Sequence, residues 1–451
     1  MQLVEPCYLE HLQISLPSGD PDRVGTISDH VDHTINVTCA ILILNMTISF
    51  YSLGCKLNYA ELEEIKEAAK KLGLKIIPWK KPSNLSVIAA CSVTKNAEKR
   101  TEQIIRAIKR KGAKIIVIGC LPRSSYEQRG LRKKIPEIDY LCKSPKEAIK
   151  KLKTCFASIL QKKERYKKIQ NAPQRTRSFI KIQSGCVFNC SYCLSRILRN
   201  RIENVSPQEI IKKIKDKEKM NCKEIVLTGL DVLLYKHRKT NIVKLIKKIL
   251  KETKIQRIRF GSIDPRLVTD EFIRLFKNPR LLPHLHLSIQ SGSSKILKMM
   301  NRYYTPKTIL KIVRKFRRLN PLFTFTTDII AGFPEETKSD IKKTCEIIKK
   351  IQFLKVHIFP FSFREGTPLE TKKMNPSQTI PLTTSISLIK KAAAYSRKNW
   401  LKKFYGLYRP VLFEQKNTGF TPEYIKIKLK SKESLFNQIK EIKITKSRVL
   451  E

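Results

Sequence analysis

Three cysteines, Cys186, Cys190 and Cys193, fall in the short stretch CVFNCSYC, directly after the strand-like run SFIKIQ. One loop carries all three, so their sulfurs converge without a long-range folding cost. Thiolates are soft ligands that suit zinc or iron–sulfur clusters. A structural zinc site closes with four protein ligands. This loop supplies three, and no fourth Cys or His stands nearby in the sequence. A cluster held by three thiolates keeps one iron open, and a small molecule is then the natural fourth ligand. Zinc with a distant fourth ligand is the competing reading.

A second set is spread along the chain. Cys55 follows TISFYSLG, Cys91 follows LSVIAA, and Cys120 follows KIIVIG. Each thiol comes directly after an apolar run that reads as a parallel strand. Parallel strands bring their C-terminal ends to one edge of a sheet, where ligand sites form. The three cysteines are therefore expected to meet there. Cys7, Cys39, Cys142, Cys155, Cys222 and Cys345 share no such pattern.

The elements that must position these thiols are legible. From Thr47, short apolar runs alternate with helical patterns, as in NYAELEEIKEAAKKLG, where Leu62, Ile65, Ala69 and Leu72 recur at helical spacing. This is βαβ order, which predicts a parallel sheet with covering helices. SPKEAIKKLK opens a further helix, with Ser144 as N-cap and Glu147 closing a capping box. It leads into the basic stretch QKKERYKKIQNAPQRTR. A second alternation follows, with strands expected in SFIKIQ, EIVLTG, RIRFGS, LHLSIQ, FTFTTDIIAG and VHIFPF. Helices are expected to begin at Ser206-Pro207 and Thr305-Pro306. Repeated βα units argue for a barrel or part of one, active at the C-terminal ends of its strands. The runs PVLFEQ, EYIKIKL and EIKITKS close the chain as a small β-module.

The fold class is thus α/β, in five parts: a leader over 1–45, a parallel-sheet cluster domain over 46–142, a linker over 143–176, a partial (βα) barrel over 177–403, and a small β-barrel over 404–451. The leader contains no lysine and sets six acidic residues against Arg23 alone. At Met46 the composition changes abruptly. Met46 is read as the start of the folded protein, and the leader as a non-native extension or a disordered tail.

The chain has 451 residues, 91 Lys plus Arg against 39 Asp plus Glu, and a net charge of +52. A positive field of that size attracts polyanions, and nucleic acid is the natural partner. Twelve cysteines in a chain this long, with no secretory signal at its start, argue against a disulfide scaffold. No apolar run reaches the length of a membrane span. The expected location is the cytoplasm, with no membrane partner.

CVFNCSYC fits the CxxxCxxC loop of radical S-adenosylmethionine (SAM) enzymes, with Tyr192 as the aromatic before the last cysteine. LGCKLN, CSVT, IGC, IVLTG, HLHLSIQSGS, MNRYY, TTDIIAGFPEET and FPFSFREGTP extend the match over residues 47 to 451. On these stretches the chain resembles the radical SAM methylthiotransferases, which join a cluster domain, a radical SAM barrel and a C-terminal TRAM module. GCKLN and CSVTKNAEKRTEQIIR resemble the bacterial branch that acts on threonylcarbamoyladenosine 37 of tRNA. Branches acting on isopentenyl-adenosine 37 or on a ribosomal-protein aspartate are the alternatives. A non-catalytic, zinc-stabilised RNA-binding protein is the reading from another class.

The resemblance implies two [4Fe–4S] clusters. Cys186, Cys190 and Cys193 hold the one that cleaves SAM, and Cys55, Cys91 and Cys120 hold an auxiliary one carrying the sulfur to be transferred. It also implies a methylthio group placed on C2 of the adenine, an electron donor such as flavodoxin or ferredoxin, and a sulfur source. Tyr192, Gly229, Asp231, Gln290 and Asp328 are the implied SAM-binding candidates, with Gly229 a possible turn residue and Asp328 a possible cap. Ser362, Arg364 and Gly366 are read as either site or turn residues. The terminal module is expected to bind tRNA through KIKLKSK and KEIKITK, with Tyr424 stacking on a base. Arg196, Asn200, Ala89-Ala90 and Glu335 depart from the residues usual in the family at those places.

Overall fold

The computed structural model describes residues 46–91, 95–123, 135–156, 176–371, 380–431 and 433–450. The leader and most of the basic stretch after Phe156 lie outside them.

The first sheet contains β1 (Thr47–Ser52), β2 (Lys75–Ile77), β3 (Leu85–Ala90), β4 (Lys114–Gly119) and β5 (Tyr140–Leu141). All pairings are parallel, in the order β2-β1-β3-β4-β5. β3 lies near the middle and is buried at all six positions, as a strand covered on both faces must be. Helices α1 (Lys56–Lys71) and α3 (Pro145–Cys155) share one apolar core, in which Leu62 and Ile65 meet Ala148, Leu152 and Phe156. Helix α2 (Lys95–Lys109) covers the other face through Ile105 and Ile108. The helix expected inside the 143–176 linker therefore belongs to the first domain, because its apolar stripe completes that core. Its N-cap forms as read, with the Ser144 side chain accepting from Glu147 N, but Glu147 Oε2 accepts from Lys143 N at 2.7 Å, one residue before the cap, and not from Ser144 N as the expected capping box requires.

The second unit contains six parallel strands, β6 (Arg177–Lys181), β7 (Glu224–Thr228), β8 (Arg257–Phe260), β9 (His284–Gln290), β10 (Thr324–Ala331) and β11 (Lys355–Pro360). They lie side by side in chain order, with β8 passing to β9 through the short Ser262–Ile263 segment. Among the described residues no pairing joins β11 to β6, so the barrel is incomplete. Helices 207–219, 242–252, 306–319 and 338–351 bury their apolar faces on its outside in one continuous core. Ser206 and Thr305 cap two of them as expected.

Helix α1 also docks the first domain onto the barrel. Its acidic residues Glu61, Glu64 and Glu67 meet Lys181, Lys213 and Lys217 of the barrel. Residues three apart share a helix face, so one stripe of α1 can serve this contact.

The third unit is an antiparallel sheet of β12 (Tyr408–Phe413), β13 (Thr418–Phe420), β14 (Lys426–Lys428) and β15 (Ile439–Lys443), ordered β14-β13-β12-β15. It closes the N-terminal mouth of the barrel. Glu224, fully buried on β7, pairs with Arg177, Arg257 and Arg259. Burial opposes its charge, yet these three guanidinium groups hold its carboxyl well below the usual range. Arg259 then donates to the carbonyls of Thr421 and Pro422, both at 2.8 Å, and Arg257 to that of Phe420 at 3.1 Å. Tyr424 stacks on His284 at 4.6 Å and on Phe420 at 4.9 Å. Both faces of this ring are therefore engaged inside the protein, which corrects the expectation that it stacks on a base.

Candidate active site

The first sheet brings Cys55, Cys91 and Cys120 to its C-terminal edge. Ala90 pairs with Gly119, and Cys120 N donates to Ala90 O at 3.1 Å, so Cys91 and Cys120 leave neighbouring strands together. Cys55 is the N-cap of α1. Gly54 before it has φ +143°, and a Cβ there would lie 3.2 Å from Cys91 Cβ. Gly119 has φ +101°, and a Cβ there would lie 2.5 Å from Ala90 O. Glycine is needed at both places, for conformation and for close approach. Cys55 is exposed, Cys91 half-buried and Cys120 buried.

Beneath this edge lies a buried polar cluster that the sequence did not reveal. Arg199 grips both oxygens of Glu61 at 2.7 Å and donates to Asn58 Oδ1 at 3.0 Å and Ser184 Oγ at 3.1 Å. Asn58 in turn donates to Ala90 O, and Cys120 Sγ lies 4.0 Å from its Oδ1. Arg199 comes from the cysteine loop of the barrel, so one cation serves both domains.

The barrel loop is shaped by Gly185, where a Cβ would lie 2.1 Å from Arg201 O. Cys190 is buried, while Cys186 and Cys193 are half-buried. Cys193 N donates to Cys190 O at 3.1 Å. Burial and the neighbouring Cys190 push the Cys193 thiol up to about 11. Positive charge is what turns such thiols into ligands, and it is present. Arg266 Nη2 lies 3.8 Å and Arg302 Nη1 4.0 Å from Cys190 Sγ. Asp264 fixes both guanidinium groups, at 2.7 Å and 3.1 Å, and Arg266 stacks over Phe188 at 3.6 Å. Three thiols under two oriented cations fit a cluster of thiolate-bound iron, and no side chain of the loop provides a fourth ligand.

The two triplets are neighbours. The short helix Leu194–Leu198 starts at Cys193 and packs Leu194 and Leu198 against Cys120. One turn of helix and its apolar side chains thus separate the two cysteine sites.

The other candidates resolve individually. The Tyr192 ring packs against Phe333 at 6.4 Å. Gly229 follows β7 where a Cβ would lie 2.7 Å from Gln183 Oε1, so close packing, not a turn, requires glycine. Asp231 is 5% exposed, and its two oxygens accept from Leu233 N and Asp264 N. Burial and the Asp264 carboxylate push it up to about 7. Asp231 thus acts as a brace for the loops at the barrel mouth. Gln290 ends β9 with φ +66°, after a break in register with β10. Asp328 lies within β10 rather than at its end, and its carboxylate meets His286 Nε2 at 3.0 Å. Arg364 pairs with Glu98 of α2, and Gly366 has φ +79°. Glu335 sits at φ +59°, a conformation that favours the glycine usual there.

The barrel lumen is polar. His284 Nε2 and His286 Nδ1 both meet Thr326 Oγ1, at 3.1 and 2.9 Å, and His357 lies beside His286 and Asp328. Both His286 nitrogens are engaged, so this group forms a hydrogen-bond relay rather than an open metal site. Lys56, the residue after Cys55, reaches the same space. Burial and then Arg177 and Arg259 pull it down to about 8, while Asp328 opposes them.

Residues 180–348 match the family described as the Radical SAM superfamily, and residues 47–143 match Uncharacterized protein family UPF0004. The threonylcarbamoyladenosine tRNA methylthiotransferase MtaB of Thermotoga maritima is 34% identical over 381 residues, covering 82% of this chain and 86% of that protein. The tRNA-2-methylthio-N(6)-dimethylallyladenosine synthase of Clostridium novyi is 31% identical over 393 residues, with 82% and 86% covered. Among solved structures, the radical S-adenosylmethionine methyltransferase TsrM of Kitasatospora setae superposes with a TM-score of 0.53 at 12% identity. It covers 72% of this chain and 77% of that one, and at this identity it speaks to the fold alone.

Proposed function

Because this chain belongs to the radical SAM tRNA methylthiotransferases, we propose that it adds a methylthio group to C2 of N6-threonylcarbamoyladenosine 37 in tRNA. The observation that carries the proposal is the meeting of two cysteine triplets across the 194–198 helix, beside a lumen lined with polar and cationic side chains. A methylthio transfer needs a hydrogen-abstracting centre and a sulfur-bearing centre next to one carbon. A C2–H bond is neither acidic nor nucleophilic, so side-chain acid–base chemistry alone does not activate it.

Cys186, Cys190 and Cys193 would hold the first [4Fe–4S] cluster, and Cys55, Cys91 and Cys120 the second. Bound there, the clusters and two molecules of SAM would supply the relay for the donor's electron, the 5′-deoxyadenosyl radical, and the sulfur and methyl that C2 receives. The protein's part is to orient and to exclude. Arg266 and Arg302 place positive charge at the Cys190 sulfur. Arg199 and Asn58 support the Cys120 side. Asp231 ties the loop after β7 to the loop after β8. Tyr192, Gly229, Gln290 and Asp328 remain SAM-facing candidates by their place at or below the barrel mouth.

A lumen with Lys56, three histidines and Asp328 suits the polar, anionic threonylcarbamoyl group. An isopentenyl group carries no charge or polar atom for this lining to engage. The basic surface and the antiparallel terminal sheet would engage tRNA phosphates. A flavodoxin or ferredoxin would deliver electrons, and a separate source would renew the sulfur. Among the described residues no helix is long and apolar enough to cross a membrane, and the site of action would be the cytoplasm. Nucleoside mass spectrometry of tRNA from a deletion strain tests the reading. Loss of the 2-methylthio-threonylcarbamoyl nucleoside alone supports it. Loss of the isopentenyl-type derivative instead overturns it.

A further inference from the structure

We propose that an open cleft on the outside of the barrel, lined by Arg314, Arg317, Arg318 and Lys350, binds the phosphodiester backbone of the tRNA. The inference rests on tRNA being the substrate, whichever group its target adenosine carries on N6.

Two helices build the cleft. Leu310, Val313, Arg314, Arg317 and Arg318 recur at three- and four-residue spacing along the helix 306–319, so they share one face. Lys350 comes from the last turn of the helix 338–351. Together they line a cleft of about 550 Å³, and no acidic side chain is among them. The surrounding chain is one-sided as well: from Ser291 to Thr327 it holds nine Lys and Arg and no Asp or Glu.

Arg317 fixes the geometry. Its guanidinium lies 3.8 Å over the ring of the fully buried Trp400 and donates to the carbonyls of Phe323 at 3.4 Å and Gln352 at 3.5 Å. Burial pulls Arg317 down to about 10, with no carboxylate to offset it. Among the described residues none of the four cations forms an ion pair. On the helices 207–219 and 242–252, by contrast, exposed lysines pair with acids one turn away, as Lys212 does with Asp216 and Lys248 with Glu252. Cations suit a helix C-terminus, yet that preference does not account for a concave group drawn from two helices around a fixed arginine.

Arg and Lys donate hydrogen bonds and cannot accept them. The lining therefore suits a ligand of negative charge made of acceptors, and phosphate oxygens are such acceptors. Its other members, Leu310 and Val313, have no polar side-chain atom to read a base edge. The place in the fold agrees. The helix 306–319 ends where β10 begins, at the closed end of the barrel, and its length carries the cleft about 20 Å from the mouth. Trp400 packs there with Val411 and Phe413 of β12, so the cleft adjoins the terminal module. A tRNA with its anticodon loop at the mouth would lay its backbone along this flank.

The test is equilibrium binding of full-length tRNA to the anaerobically reconstituted holoenzyme without SAM, read by fluorescence anisotropy over a series of salt concentrations. Two probes are used, one tRNA carrying the N6-modified adenosine and the same tRNA unmodified. The variant combines the exposed residues as Arg314→Gln, Arg318→Gln and Lys350→Gln. A control removes the same charge from helix α3 as Lys146→Gln, Lys150→Gln and Lys153→Gln. The cleft variant should bind both tRNAs roughly tenfold or more weakly, and its slope of log affinity against log salt should fall by roughly two to three units. The control should stay close to wild type. Melting temperature and iron content are measured alongside, and Arg314→Gln alone, expected to lower the slope by roughly one unit, repeats the test if the triple variant loses either. An unchanged slope in the cleft variants, or an equal loss in the control, overturns the assignment of the cleft. A wild-type protein that binds neither tRNA overturns the tRNA reading itself.

Discussion

Arg199 and Glu61 form a two-pronged ion pair with both contacts at 2.7 Å, and neither residue is more than 2% exposed. One comes from the cysteine loop of the barrel and the other from α1 of the first sheet. Removing one partner strands the other charge in a dry environment, which typically costs about 3–5 kcal/mol. Arg199→Met should therefore lower the melting temperature clearly. It should also weaken retention of iron at the Cys55, Cys91 and Cys120 site, because Asn58 and Cys120 lose their neighbour. Thermal scanning and iron analysis of the same sample check both effects. A variant with wild-type stability would remove the pair from the interface.

The two triplets are expected to fail differently. Cys190→Ala should abolish SAM cleavage. Cys91→Ala should retain SAM cleavage and lose thiomethylation. Iron per chain should fall from about eight to about four in each, as two four-iron clusters require. Product analysis by chromatography separates the outcomes. Full thiomethylation by Cys91→Ala would remove the second triplet from the reaction.

Glu224 holds three arginines at the closed end of the barrel, and two of them donate to carbonyls of the terminal module. Glu224→Ala leaves these buried cations uncompensated, with a loss again of about 3–5 kcal/mol. Limited proteolysis should then cut earlier in the 405–425 region than in wild type. An unchanged digestion pattern would mean that the apolar contacts alone hold the module.

Glu336 gives a pH dependence. Burial pushes its carboxyl up to about 7. Between about pH 4, the ordinary value for the unfolded chain, and about 7, the native state keeps a proton that the unfolded chain has lost. Its contribution to folding therefore weakens as pH rises through that window, by up to about 3 kcal/mol. Glu336→Gln should flatten part of the decline in melting temperature between pH 5 and 8. Parallel profiles for the two proteins would count against the shift.

Twelve of the fifteen labelled strands fall in runs readable from the sequence, because short stretches rich in β-branched, aliphatic or aromatic residues between helical patterns mark buried strands. β2, β5 and β13 were missed because each has only two or three residues, too few for a period to register. Helix α3 was found, but its partner was not, since an amphipathic stripe does not name the surface it packs on.

The sequence by itself determined the two sets of thiols, the strands that carry them and the family, because those depend on local spacing and residue type. Only the tertiary structure decided which charges meet. Arg199 with Glu61, Glu224 with three arginines and Lys56 in the lumen are separated by up to hundreds of residues in the chain. A charged residue in a chain of net charge +52 looks like solvated surface until folding removes the water around it and leaves it one neighbour.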